Sequence, residues 1–400
     1  MLEGLKVIEL ATYIAAPGAG GVMADWGADV VKVESPEGDP IRAFHENVGA
    51  ELEGNPVFDM DNRGKRAVVL DIRKPEGREA LLRLLKGADV FLTNTRPGAL
   101  KRARLDWDSL HAENPRLIYC SVTGYGLSGP EADRPGFDVA AYWSRAGVAH
   151  LTTVKGEEPF PIRTGMGDHV TSLATVSAVL AAVIERGRTG EGRLVETSLI
   201  RSGVYSVASD LAIQLRYGRL ASTRPRKGAI NPLSNFFRTA EGRWLTILTR
   251  RGGKDWTELV RELGRPELAD DPRFATARSR RQNGEALVEA LDAAFGALPF
   301  AEAARALDAC DFVWAPVQTG AEVAADPQAE AAGCFTTIPD GKGGVFRTPA
   351  SPARFHGADD PPRGAAPTLG QHTDAVLAEA GYSTAEVAAL RAAGAAGAAA

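Results

Sequence analysis

Short apolar runs alternate with helical patterns along the first half of the chain. Runs typical of buried strands occur at 7–10, 29–34, 66–71, 89–94, 117–122 and 193–199. Between them, apolar spacing with Gly or Pro near the ends predicts helices over 18–26 and 75–85 and from residue 168 onward. Strand–helix–strand units build parallel sheets, so the pattern predicts an α/β fold with a doubly wound, Rossmann-like sheet.

The pattern changes near residue 223. The basic, loop-like stretch 223–232 precedes a smaller α+β pattern, with strands at 244–248 and 312–317 and helices at 254–264, 284–296 and 300–309. Pro- and Gly-rich residues at 333–375 lead to a helical segment at 374–393 and a low-complexity tail at 394–400. We predict a large ligand-binding domain at 1–222, a small domain with linkers at 223–325, and a C-terminal segment at 326–400 that returns to the large domain.

Composition narrows the class of protein. The 400 residues are 44% hydrophobic and 24% charged with a net charge of −5, which is typical of a globular protein and gives no basic field for nucleic acid. The three cysteines form no CxxC and the six histidines form no i, i+4 pair, so we expect no metal site. The N-terminus has no signal-peptide pattern, and the apolar run 173–184 is interrupted by Ser and Thr. We therefore expect a cytoplasmic protein that does not enter a membrane.

Polar residues end three of the predicted strands, where ligands bind in open α/β sheets. These residues are Glu34, Asp71 and Asn94. Four arginines follow the third and fourth strands, namely Arg73, Arg96, Arg102 and Arg104. Guanidinium groups suit phosphate through bidentate geometry, so the group predicts an anionic ligand at this edge, although any one of them could belong to a solvated basic face.

A glycine cluster follows the first strand. Gly18 and Gly20 resemble the start of a dinucleotide-binding fingerprint, but its third glycine position holds Met23. The glycines also lie after Pro17, inside the predicted helix. Close packing of helix against sheet is the better interpretation of the cluster.

One carboxylate stands at the predicted start of a long helix. Asp168 follows Gly165 and Gly167 and precedes an apolar run, which predicts that Asp168 is the helix N-cap. The helix dipole predicts that the carboxylate ionises readily, and the glycines let another molecule approach it closely. His169 points about 100° away around a helix, so we expect a neighbour and not a partner. On these residues alone, an ordinary N-cap is a simpler interpretation than a functional carboxylate.

A set of motifs in fixed order resembles the family III CoA-transferases, the group that includes formyl-CoA transferase, carnitine CoA-transferase and α-methylacyl-CoA racemase. The resemblance runs from residue 5 to residue 373 and is carried by the stretches LKVIEL at 5–10, GADVVKVESP at 27–36, NRGKR at 62–66, NTRPG at 94–98, NPRLI at 114–118, DRPGFD at 133–138, GD at 167–168, APV at 315–317 and LGQHT at 369–373. Each motif alone is common, and the ordered set is specific.

The resemblance implies a function. It implies an acyl-CoA:carboxylate CoA-transferase whose nucleophile is Asp168, working through mixed anhydrides and an aspartyl-CoA thioester. No tightly bound cofactor is implied, because the coenzyme A thioester is a substrate, and the partners are an acyl-CoA donor and a carboxylic acid acceptor. The resemblance further implies an interlocked homodimer. By the same analogy, CoA lies along the strand-end crevice, which is lined by Ile14, Leu70, Arg73, Asn94, Arg96 and Arg102.

Three departures from the family pattern leave alternatives open. Phe137 stands where racemases carry His, which favours transfer over racemisation. Instead of the four-glycine shielding loop of formyl-CoA transferase, the chain offers only Gly228 and the pair at 252–253, so oxalate is not implied as acceptor. Arg104 replaces a glycine and either contacts phosphate or faces solvent. A racemase or isomerase of the same family and a non-catalytic nucleotide-binding protein remain alternatives.

The acids themselves are left open by the sequence. A basic cluster in the 223–232 loop could meet a dicarboxylate, and its members are Arg224, Arg226 and Lys227. Apolar Ala and Val positions near the site could equally admit a fatty or branched acyl group.

Overall fold

The computed structural model describes residues 1–43, 54–249, 255–310, 312–357 and 364–397, which form two compact units. The large unit comprises 1–150, 160–219 and 330–400, and the small unit comprises 151–159 and 220–329. The glycine pair at 252–253, the first residue of the helix predicted at 254–264 and the last three residues of the predicted tail lie outside the described residues.

A six-stranded parallel sheet is the centre of the large unit. Its strands are β1 Lys6–Leu10, β2 Asp29–Glu34, β3 Arg66–Val69, β4 Val90–Thr93, β5 Ile118–Thr123 and β6 Leu194–Ser198. The spatial order is β3-β2-β1-β4-β5-β6, and all neighbours pair in parallel. This order is that of a doubly wound sheet, so the α/β fold predicted from the apolar runs is confirmed.

Helices cover both faces of the sheet. They are α1 Ala15–Asp25, α2 Pro56–Asn62, α3 Pro75–Lys86, α4 Pro97–Ala103, α5 Trp107–Glu113, α6 Val148–Thr152, α7 Met166–Thr189, α8 Leu199–Ser206 and α9 Ala208–Tyr217, with a π-helix at Val139–Arg145. One buried core lies between the sheet and α1 with α7, and a second lies between the opposite face and α3 to α5. The π-helix and five helices, namely α2, α4, α5, α6 and α9, were absent from the sequence prediction.

The 24-residue helix α7 carries the stretch that contains Asp168. Its Val176, Val179 and Ala182 are buried in the core beside α1. By length and composition alone this helix could also cross a membrane, a property that core helices share. Its buried stripe makes it a core element of the large unit.

Glycines in α1 are required by close packing. A Cβ on Gly20 would lie 1.9 Å from a carboxylate oxygen of Glu9 in β1, and a Cβ on Gly18 would lie 2.6 Å from the hydroxyl of Ser172 in α7. A Cβ on Gly21 would lie 2.6 Å from the carbonyl oxygen of Asp61 in α2. Close packing therefore explains the cluster: Gly20 packs against the sheet, as predicted, whereas Gly18 and Gly21 pack against neighbouring helices.

The small unit has its own sheet and core. Its antiparallel strands are β7 Asn235–Arg238, β8 Trp244–Thr249 and β9 Phe312–Pro316, and its helices are α10 Trp256–Glu262, α11 Glu267–Asp270, α12 Ala277–Gln282, α13 Gly284–Gly296, α14 Phe300–Asp308 and α15 Gly320–Ala325. Residues 151–159 belong to it, because Lys155 N–H donates to the Thr223 carbonyl and the Thr223 hydroxyl donates to the Leu151 carbonyl.

Residues 330–400 belong to the large unit. Their elements, preceded by α16 Pro327–Ala331, are the antiparallel pair β10 Phe335–Pro339 and β11 Val345–Pro349 and the helices α17 Thr373–Glu379 and α18 Thr384–Ala392. The single helix predicted at 374–393 is two helices, because Gly381 adopts φ +85° between them. Ala396 pairs with Leu70 in an antiparallel bridge beside β3.

Candidate active site

A cleft of about 410 Å³ lies at the carboxyl ends of the central strands. Thr12 and Tyr13 follow β1, Asn94 follows β4, and Thr123 ends β5. Strand order reverses between β1 and β4, and this switch point is where ligands bind in open α/β sheets. Asp168 also lines the cleft. The predicted strand-end crevice and the predicted carboxylate therefore meet in one cavity.

Asp168 is the third residue of α7 and not its N-cap, so the N-cap prediction is wrong. Gly165 occupies the N-cap position with φ +80°, a conformation that glycine adopts without strain. Gly167 must also be small, since a Cβ there would lie 2.6 Å from the ring of Tyr142. The Asp168 side chain makes no hydrogen bond within the described part of the chain and is free to face the cleft.

The pKa of Asp168 is raised to about 7, which contradicts the expectation that this carboxylate ionises readily. Burial is the largest cause, and the negative charge of Asp138 adds to it. The charge of His169 opposes the shift, whereas Asp61 reinforces it. The helix dipole favours the anion by less than these effects disfavour it.

His169 pairs with a carboxylate from another helix. Its Nε2 lies 3.1 Å from Oδ1 of Asp61 in α2. Burial alone would lower the pKa of His169, but the hydrogen bond and charge of Asp61 raise it above its usual value. The site thus contains three carboxylates, Asp61, Asp138 and Asp168, around one imidazole.

The polar side chains at the strand ends make hydrogen bonds to neighbouring segments. Asn94 accepts from Thr12 N–H at 3.0 Å and donates to the Thr12 carbonyl at 2.7 Å. Glu34 receives two guanidinium hydrogen bonds from Arg42. Asp71 similarly holds the guanidinium of Arg73. Of the three predicted strand-end residues, Asn94 is the one that lines the Asp168 cleft.

The arginines at this edge differ in whether their guanidinium groups already form ion pairs. The guanidinium of Arg73 is already paired with Asp71 and Glu37. Arg96 and Arg102 are exposed and make no ion pair within the described ranges. Arg104 is exposed at the left-handed C-cap of α4 and likewise unpaired there.

Two cavities adjoin along the strand ends. A second cavity of about 980 Å³ is lined by Arg73 and Arg102, whereas Arg96 lines the Asp168 cleft. Thr95 and Ala99 line both cavities, which are therefore neighbours.

Two predicted crevice residues have buried side chains. Ile14 is 4% exposed and packs against Ile41 and Phe58. Leu70 is 1% exposed in the core beneath α3. Neither side chain lines the cleft that contains Asp168.

Sequence reasoning did not single out Tyr13, Asp61 or Asp138 as site residues. Asp138 closes the DRPGFD motif, which was the available signal. Asp61 sits in a short helix with no motif of its own, and its approach to His169 depends on the packing of α2 beside α1.

Two further candidates are a metal site and the basic cluster of the small unit. Among the described residues, no three His, Cys, Asp or Glu side chains are grouped to hold a metal ion. Arg226 and Lys227 are paired with Asp292 and Glu289 inside the small unit.

Known proteins are similar to this chain in sequence and fold over most of its length. The family model described as CoA-transferase family III matches residues 2–373, and the chain belongs to that family. A crystal structure of a CaiB/BaiF family protein from Brucella suis superposes with a TM-score of 0.84 at 34% identity, covering 94% of this chain and 98% of that one. The fold and the family are those that the ordered motifs indicated.

Curated relatives define the class of enzyme. (R)-2-hydroxy-4-methylpentanoate CoA-transferase of Clostridioides difficile is 32% identical, with 96% of each chain covered. Succinate–glutarate CoA-transferase of Agrobacterium fabrum is 33% identical, with 94% of this chain and 95% of the relative covered. The protein is a family III CoA-transferase, and its relatives act on different acids.

Proposed function

We propose that this enzyme moves coenzyme A between carboxylic acids through a covalent intermediate on Asp168. The observation that carries the proposal is the free, cleft-facing carboxylate in the first turn of α7. The side-chain oxygen of a capping aspartate accepts a hydrogen bond from a backbone N–H group, whereas the side chain of Asp168 accepts none within the described part of the chain. A nucleophile needs that freedom.

The reaction balances in four steps. The Asp168 carboxylate attacks the thioester carbonyl of the donor, forming a mixed anhydride and releasing CoA thiolate. The thiolate attacks the aspartyl carbonyl, giving aspartyl-CoA thioester and the donor acid. The acceptor carboxylate then attacks this thioester to form a second anhydride and CoA thiolate. The thiolate attacks the acceptor acyl carbonyl, so the new acyl-CoA leaves and Asp168 is regenerated.

The environment of Asp168 suits this chemistry. One thioester is exchanged for another, so the protein mainly has to position the reactants and exclude water from the anhydrides. Burial removes water from around the carboxylate and raises its pKa to about 7. Only the ionised form attacks, so we infer that the enzyme works best above that pH.

We infer that CoA spans the two neighbouring cavities, with its phosphates nearer Arg96 and Arg102 than Arg73. The first two guanidinium groups are exposed without an ion pair in the described ranges, whereas Arg73 must first leave Asp71 and Glu37. Asn94 supports this placement by holding the Thr12 backbone. Ile14 and Leu70 are buried, so any contact they make with CoA would be through backbone atoms.

We also propose a homodimer, as the family resemblance implies. Helix α9 has no buried residue, and apolar side chains project from it and from α8. Tyr205 is 82% exposed and Leu215 is 86% exposed. A second copy is the occupant we propose for this face. Light scattering should give the mass of a dimer, which Leu215→Asp should reduce; a monomeric wild-type protein would contradict the proposal.

The test is covalent trapping. The enzyme is mixed with a panel of acyl-CoAs and treated with hydroxylamine, and its peptides are examined by mass spectrometry. We expect a hydroxamate at Asp168 that requires acyl-CoA and is absent from Asp168→Asn, while Asp270→Asn, an exposed carboxylate in the small unit, still gives the adduct. CoA binding without any adduct would instead support the isomerase or the nucleotide-binding alternative.

A further inference from the structure

Two exposed aromatic rings stand beside the proposed nucleophile. Tyr13, in the loop after β1, and Phe137, just before the π-helix, line the same cleft as Asp168. Their ring centroids are 5.1 Å apart and the planes meet at 84°, an edge-to-face contact. Tyr13 is 38% exposed and Phe137 is 54% exposed. Large aromatic faces in a cleft remain available to a ligand.

The backbone of Tyr13 is held in an unfavourable conformation. Its φ of +65° lies in the left-handed region, which costs a non-glycine residue roughly 1–2 kcal/mol. Tyr13 N–H donates to Asp39 at 3.0 Å, and Asp39 is fixed by the buried ammonium of Lys32 at 2.8 Å. The preceding residue is clamped by Asn94. Strain maintained by this many contacts is typical of a functional position.

The Tyr13 side chain is not needed to satisfy the fold. Its hydroxyl makes no hydrogen bond within the described residues, and the one aromatic contact of its ring is with Phe137. Buried contacts therefore fix the backbone while the ring projects into the cleft. The arrangement presents an apolar surface at a defined place.

Charge in the cleft argues against a second carboxylate on the acyl group. Besides Asp168, the charged residues that line it are Arg96 and Arg134. Arg134 is paired with Glu131, and the proposed function assigns Arg96 to CoA phosphate. Most of the remaining lining is apolar, and includes Ala15, Pro97, Ala99, Val122, Pro135 and Leu199.

We propose that Tyr13 and Phe137 form one wall of an acyl-group subsite that selects acids with an aromatic or branched apolar side chain over short dicarboxylates. The inference rests on the proposed function, because the subsite lies in the same cleft as Asp168, the carboxylate that we propose attacks the thioester. An aryl or branched alkyl group packs against the two rings and is removed from water. A succinyl group would bring a carboxylate into the same apolar space, where both guanidinium groups of the described lining are engaged, Arg134 with Glu131 and Arg96, as proposed, with CoA phosphate.

Label exchange measures this selectivity without knowledge of the natural acceptor. Each acyl-CoA is incubated with its own ¹³C-labelled acid, and label entering the thioester is followed by mass spectrometry for 3-phenylpropanoate, 4-methylpentanoate and succinate. We expect the wild-type enzyme to exchange both apolar acids at least about tenfold faster than succinate, as judged by kcat/KM. Equal exchange of all three, or a preference for succinate, overturns the inference.

Variants distinguish contact of the two rings with the acyl group from contact with CoA. Tyr13→Gly accepts the positive φ without a side chain, and Phe137→Leu removes the aromatic face. Each should lower the ratio of 3-phenylpropanoate to succinate exchange by about tenfold, whereas Phe236→Leu, at an exposed aromatic of the small unit, should leave it unchanged. An equal loss on every acid would mean that the rings contact CoA itself, and it overturns the inference.

The two proposals fail in different ways. Exchange without selectivity, together with a hydroxamate at Asp168, removes the acyl subsite and leaves the transferase mechanism intact. Exchange with none of the three acids and no hydroxamate overturns the proposed function and this inference with it.

Discussion

Two clusters of buried charge lie beside α1, and they differ in how far their charges are paired. Beneath the loop after β1, Glu9 bridges Lys32 at 3.2 Å and Lys65 at 2.8 Å. Asp39 holds Lys32 at 2.8 Å. Each ammonium has three hydrogen-bond acceptors, which equals its number of donors. We call this group the paired cluster.

The second group, beside α7, is left unbalanced. Asp61, Asp138 and Asp168 surround the single imidazole of His169. Within the described part of the chain, one buried oxygen of Asp61 and one of Asp138 have no hydrogen-bond partner. We call this group the carboxylate cluster. Unpartnered buried polar atoms cost stability, and here they lie beside the carboxylate that we propose as the nucleophile. We infer that this group serves the reaction, whereas the paired cluster fixes backbone.

The largest expected effect is loss of activity when the carboxylate cluster loses its nucleophile. Asp168→Asn removes the atom that forms the anhydride, so the label exchange rate should fall at least about 10³-fold. Stability should not fall, because burial disfavours the charge at this position. Exchange assays and chemical denaturation at pH 8 measure the two quantities. Retained turnover would contradict the nucleophile assignment.

Breaking the paired cluster should lower the free energy of unfolding. Glu9→Gln leaves two buried ammonium groups without their shared anion, and such a loss costs about 3–5 kcal/mol of unfolding free energy. The pKa of Lys65, already lowered to about 8 by burial, should fall further. Glu267→Gln, which breaks an exposed ion pair with Arg265, is the control and should leave the denaturation midpoint unchanged. A Glu9 variant as stable as wild type would mean that the cluster does not hold the fold.

How far sequence predicts these regions depends on the range of the contacts. Apolar runs and Pro or Gly positions are local, so the sheet and the position of Asp168 near the start of a helix were predicted from them. The place of Asp168 within the first turn of that helix and its raised pKa were not. Gly165 takes the N-cap position, and the pKa depends first on burial and then on the charges of Asp138 and Asp61, all of which arise only when distant segments pack together. The buried lysines illustrate the same limit. Lys32 lies in a strand pattern that shows no partner, and its anions arrive from Glu9 and Asp39 only after the chain folds.

A smaller effect should appear in the pH dependence of the carboxylate cluster. Since only ionised Asp168 attacks, kcat/KM should rise with pH through about 7 and then level off. The folded-state pKa lies above the ordinary value of 3.8, so folding favours the protonated form. That contribution to stability is complete below about pH 4 and is lost as pH rises through 7. Asp168→Asn should remove this part of the stability profile.

The smallest predicted effect isolates His169. Its charge lowers the pKa of Asp168 against burial and two carboxylates, so His169→Gln should move the acid limb of kcat/KM to higher pH. The rate on the plateau above the limb should change less than the rate at pH 6.5, because Gln keeps a donor for Asp61 while losing the charge. His150→Gln, at an exposed histidine of α6, is the matched control and should leave the limb in place. A limb that stays put in His169→Gln would reduce His169 to a structural partner of Asp61. A limb that moves would show that the charge of His169 sets the pH at which Asp168 becomes a nucleophile.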